Sequence, residues 1–169
     1  MTMIGRRVAC ALVVVLGLSS CTLHPEERVV PPESDVSLAT AQRRLDTMLH
    51  TVAEETFGPG ARLQPQSGAV EYPSVRVCAD YSDAPPGSPY SANYSYRVGG
   101  IALVDRAQAE EYAQRVANAL TERGWTERDG YPSGDRSFGH QNYGILFQTS
   151  PDGVMYLVGS TPCVKKNGD

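Results

Sequence analysis

The first twenty residues constrain this chain most, because they decide how much of it folds and in which compartment. Arg6 and Arg7 make a short basic segment, and Val8 to Gly17 (VACALVVVLG) is an apolar run without a charge. Such a run is too short to span a bilayer, which takes about 20 apolar residues, and the basic-then-apolar order is that of an export signal. Residues 1–20 are therefore expected to be removed. The remainder of a 169-residue chain suits one domain with a single core.

The residues that follow set the fate of the cysteines. Leu18-Ser19-Ser20-Cys21 resembles the lipobox of bacterial lipoproteins. The resemblance implies that Cys21 becomes the new N-terminus and carries a diacyl lipid. Two acyl chains hold a protein on a bilayer stably where one is marginal. The expected location is the cell membrane, lipid-anchored, on the extracytoplasmic face. Of the four cysteines, Cys10 leaves with the signal and Cys21 is consumed by the lipid. Cys78 and Cys163 remain, and in an oxidising compartment two thiols most often pair. In the chain-entropy model that bond, closing a loop of about 85 residues, contributes roughly 4–5 kcal/mol.

Charge points away from polyanions. The whole chain has 15 basic and 19 acidic residues. Loss of Arg6 and Arg7 takes the mature chain to 13 and 19, a net of −6. No dense basic stripe is present, so neither nucleic acid nor an anionic membrane surface is an expected partner. Thr22 to Ser37 is rich in Pro, Glu and Ser and too poor in apolar residues to pack. Residues 21–37 are thus read as the lipidated cysteine and a tether, spanning roughly 20–25 Å. Residues 38–169 are read as the single folded domain.

Within that domain two helices are marked. Leu38, Ala41, Leu45, Met48, Leu49, Val52 and Phe57 recur at helical spacing, with Ser37 as a cap and Gly58-Pro59 as a stop. Asp105 and Gln108 make a capping pattern for a second helix, whose stripe is Ala109, Tyr112, Ala113, Val116 and Leu120. Gly124 followed by Trp125 suits a Schellman end. Strand patterns run over 75–79 and from Tyr94 through Gly99-Gly100 to Leu103. A short one starts at Trp125, and two more, 143–149 and 154–159, flank the turn Ser150-Pro151-Asp152-Gly153. The order α-β-β-α-(β)-β-β predicts an α+β domain, both helices on one face of a mainly antiparallel sheet, with one disulfide.

This arrangement resembles the LppA-type lipoproteins of mycobacteria and related actinobacteria. The matching residues are Leu18 to Cys21, Ala41-Gln42-Arg43-Arg44-Leu45, Val77-Cys78, the helix from Asp105 to Leu120, Tyr143 to Gln148, and Gly159 to Cys163. The resemblance covers roughly residues 38–164, in spacing more than in identity. It implies a disulfide-bonded envelope lipoprotein with no assigned activity and no catalytic residues.

The chemistry-bearing residues are sparse. His24 lies in the tether, and His50 has no second ligand one turn on. His140 shares a polar loop with Asp135 and Ser137, without a G-x-S-x-G motif. Glu54-Glu55 and Glu110-Glu111 are neighbours on helices, pointing about 100° apart, and read as solvated faces rather than an acid/base pair. Neither a metal site nor a cofactor is expected. Tyr81, Tyr90, Tyr94 and Tyr96 cluster around Pro85-Pro86-Gly87-Ser88-Pro89. Rings on a sheet face can stack on sugars or clamp a partner, whereas tyrosine also packs sheets in its own right. The expectation is a non-enzymatic envelope module that binds a protein or a cell-wall glycan. A lipid or glycolipid carrier is the alternative, and a cell-wall enzyme the third reading.

Overall fold

The structure is a computed structural model that describes residues 35–66, 72–78, 87–129 and 135–166. Two helices and seven strands follow one another as α1 (Leu38–Phe57), β1 (Arg62–Pro65), β2 (Ser74–Val77), β3 (Tyr90–Gly99), α2 (Arg106–Thr121), β4 (Thr126–Arg128), β5 (Arg136–His140), β6 (Tyr143–Thr149) and β7 (Met155–Ser160). The strands form one sheet in the order β1-β3-β7-β6-β5-β4, and β2 shares with β1 the same edge of β3. Every pairing is antiparallel. The chain has the expected α+β class and element order, with two strands that the sequence pattern did not mark.

Both helices form where their caps and stripes predict. The Ser37 hydroxyl accepts from the Thr40 amide, and Asp105 and Gln108 close a reciprocal capping box. At the far end of α2 the Trp125 amide donates to the Leu120 carbonyl and the Gly124 amide to Thr121. That double closure needs a left-handed residue, and Gly124 supplies it at φ 78°. Leu45, Leu49, Val52 and Ala41 of α1 are buried against the sheet, as are Val116 and Leu120 of α2. Each large apolar side chain so buried contributes about 1.5–3 kcal/mol.

The sheet presents one face to the helices. Ala92, Tyr94, Tyr96 and Val98 of β3 are buried there, with Met155 and Leu157 of β7, Ile145 and Phe147 of β6, and Phe138 of β5. β3 does not run on to Leu103 as expected. Gly100 turns the chain out at φ 83°, where a Cβ would lie 2.1 Å from the Gly60 carbonyl oxygen. Leu103 is left 64% exposed.

Cys78, just past β2, is bonded to Cys163, just past β7, with 6.0 Å between their Cα atoms. The bond fastens the edge of the sheet to the tail of the chain. The same tail pairs Val164 with Tyr90 and accepts the Leu38 amide on the Lys165 carbonyl. The start of α1, the disulfide and the tail therefore meet at one end of the domain.

Tyr72 fills the gap that β1 and β2 leave on the edge of β3. Its hydroxyl accepts the Ser95 amide at 3.0 Å, and its ring meets Tyr94 and Tyr96 edge-on at 5.8 and 5.2 Å. Burial pushes the phenols of Tyr72 and Tyr94 up to about 12 from an ordinary 10.0, and raises that of Tyr96 as well. Unfolded phenols release their protons near pH 10, whereas these hold them longer. The stability they contribute is complete below pH 10 and is lost as pH rises from there to about 12. Tyrosinate absorbance and circular dichroism followed together should show the late-titrating phenols ionising only as the fold opens in that window. Ionisation of all nine tyrosines near pH 10 with the fold intact would contradict this.

Candidate binding cleft

Tyr94 and Tyr96 do not form an exposed platform. They share one face of β3, as alternation requires, but it is the inner face, and they are 5% and 6% exposed. Asp46 and Gln42 of α1 take up their polar tips. The Tyr96 hydroxyl donates to Asp46 Oδ1 at 2.5 Å and the Tyr94 hydroxyl to the Gln42 carbonyl at 3.3 Å. A buried phenol needs such a partner, and α1 is placed to give one to each. Tyr90 sits apart near the disulfide, half-buried, with the Lys166 ammonium 5.2 Å above its ring. Tyr81 and Cys21 lie outside the described residues. The alternate positions Ser91, Asn93, Ser95 and Arg97 carry the signal that the tyrosines face inward, because a polar side of a strand marks its solvent face.

The other chemical candidates are likewise engaged. His50 Nε2 is 3.9 Å from Asp46 Oδ1, and its ring meets Tyr96 edge-on. Glu55 pairs with Arg123, and Glu111 with Arg115 at 3.7 Å. Ser137 and His140 stand three residues apart on β5, so their side chains leave on opposite faces. Asp135 accepts instead from Gln148 at 3.1 Å. Among the described residues no group of three His, Cys, Asp or Glu could hold a metal ion.

His140 belongs to a different constellation. Between α1, the end of α2 and the β5–β6 turn lies an open cleft of about 590 Å³, a volume ordinary for a small-molecule site. Leu45, Met48, Trp125 and Tyr143 give it apolar surface, and Arg43, Arg44, Arg123, His140 and Gln141 its polar rim. The Trp125 and His140 rings lie 5.7 Å apart at 35°, and His140 Nδ1 is 3.0 Å from the Gly124 carbonyl oxygen. A carbonyl can only accept, so Nδ1 carries the proton and Nε2 is the nitrogen left for another partner.

The arginines differ in how they are held. Arg123 donates to the Ala119 carbonyl at 2.7 Å and to Glu55, which fixes the junction of the two helices. Among the described residues Arg43 donates to the Thr40 hydroxyl, at 3.2 Å. Neither Arg43 nor Arg44 has a carboxylate partner among the described residues. Asp46, three residues past Arg43, is engaged by Tyr96. The acidic net charge thus conceals a local cationic rim. The adjacent Arg43-Arg44 pair was the sequence signal for it, but Asp46 one turn past Arg43 hid the signal, because its engagement by Tyr96 is a long-range contact.

The turn that carries His140 is tight. Gln141 and Asn142 form a two-residue hairpin loop, both with positive φ, 46° and 66°. A type I′ turn requires this, and asparagine tolerates it better than glutamine does. Comparison with family models, with curated proteins and with solved structures finds no match to this chain. Gln141→Asn should relax the turn and raise stability by about 0.5–1 kcal/mol in a denaturant melt. A loss of stability would show that contacts of the Gln141 side chain outweigh the backbone strain.

Proposed function

We propose that the chain is a cell-envelope lipoprotein of LppA type from an actinobacterium, anchored through a lipid on Cys21 to the outer face of the cytoplasmic membrane. It acts there as a non-enzymatic binding module for a cell-wall glycan or an envelope protein. The observation that carries the binding role is the cleft between α1 and the β5–β6 turn, with its apolar floor and with Arg43 and Arg44, which have no carboxylate partner among the described residues. The Cys78–Cys163 bond supports the exported location, since such bonds persist in oxidising compartments.

Position supports the same reading. The tether residues precede Leu38, and Arg43 lies about 8 Å along the helix axis from it at 1.5 Å per residue. The cleft therefore opens near the end of the domain from which the tether leaves. Among the described residues no helix is long and apolar enough to cross a membrane. Carriage of a whole lipid has less support, because the clefts of about 590 and 540 Å³ are open and rimmed by charge.

Replacement of the anchoring thiol tests the central element. Cys21→Ala should move the protein from the membrane fraction into the medium or a soluble envelope fraction. Continued retention in membranes that resists high salt and alkaline washing would overturn the lipid anchor.

A further inference from the structure

The chemistry of the cleft narrows what it binds. From its lining we infer that it takes a sugar phosphate, the phosphate held at Arg43 and Arg44 and the ring laid on the apolar floor. This rests on the proposed binding role and extends it to a class of ligand.

Three observations lead there. Arg43 and Arg44 present two guanidinium groups with no carboxylate partner among the described residues, on a helix that keeps both exposed. Guanidinium matches phosphate oxygens in pairs of parallel hydrogen bonds, and two of them balance a phosphate monoester of charge about −1.5 to −2. Beside them lie Met48, Leu45 and the Trp125–His140 pair. That surface suits the C–H side of a sugar ring, whereas a bare inorganic ion would leave it uncovered. Finally, the cleft offers groups for ring hydroxyls: His140 Nε2, Gln141 and Thr47. The Tyr143 hydroxyl, buried in the same wall, has no hydrogen-bond partner among the described residues.

The alternatives fit less well. The cleft beside the start of α2 carries Asp105, Glu110 and Asp152 against Arg106 and would repel the same ligand. A neutral sugar would leave both arginines unmatched. Joined into a glycan or to a polyprenyl chain the phosphate becomes a diester with a single negative charge, which still offers its two unesterified oxygens to the guanidinium groups, and the two sources share that group.

Trp125 is the sole tryptophan of the chain, so tryptophan emission, excited beyond the absorbance of tyrosine, reports on this cleft. Full-length protein, purified from whichever cell fraction holds it and reconstituted in phosphatidylcholine vesicles, is titrated with glucose 1-phosphate, glucose and inorganic phosphate. A second arm dopes the vesicles with polyprenyl phosphoglucose. Glucose 1-phosphate should shift the emission at least tenfold more tightly than glucose or phosphate. The Arg43→Gln/Arg44→Gln protein, with exposed residues changed and its fold checked by circular dichroism, should lose at least tenfold of that affinity. A response in the doped vesicles would assign the group to a lipid, and a response to the soluble probe alone would assign it to a glycan. No Trp125 response in either arm, or equal binding of phosphate and glucose 1-phosphate, would overturn the inference. Because the fraction of origin does not enter the readout, failure here leaves the anchor reading standing, and failure of the anchor leaves this titration valid.

Discussion

The seat of α1 on the sheet is the contact on which the rest of the structure depends. It is made at Gly159 of β7, where Leu49 and Leu45 come so close that a Cβ would lie 2.9 Å and 3.1 Å from their methyl carbons. Both leucines are almost wholly buried, so neither has room to withdraw. A bare backbone at one point in the strand lets the helix descend onto the sheet. From that depth Asp46 and Gln42 reach the phenols of β3, and Arg43, Arg44 and Met48 come to stand over Trp125 and His140.

Two further devices hold this arrangement at its ends. The Cys78–Cys163 bond and the Leu38–Lys165 hydrogen bond gather the edge strand, the tail and the start of α1. At the opposite end of the helix, Arg123 reaches from α2 to Glu55. The cleft lies between these two fastenings. Its walls come from three separate parts of the chain, so its shape follows from the packing of α1 rather than from any local motif.

Local signals were legible and long-range ones were not. Ser37, Asp105, Gln108 and Gly124 marked the helix ends because each acts on backbone groups within a few residues. The hairpin at Ser150 to Gly153 was readable for the same reason. β1, with Leu63 its sole large apolar residue and a proline at its end, and β5, interrupted by Gly139, are strands only because neighbours pair with them. The tyrosines illustrate the limit. Their shared face was evident from alternation, but which layer covers it depends on α1, which lies some fifty residues away in sequence. The cleft was hidden for a related reason, since Arg43, Trp125 and Gln141 meet only once the sheet has closed.

Gly159→Val puts the seat of α1 to the most direct test. Strand preference alone would make valine the better residue at that position, by up to about 1 kcal/mol. The account predicts the opposite sign. The added methyls must displace Leu45 and Leu49, and overpacking of that kind costs about 1–3 kcal/mol in a denaturant melt. Stability equal to or above that of the parent chain would contradict it.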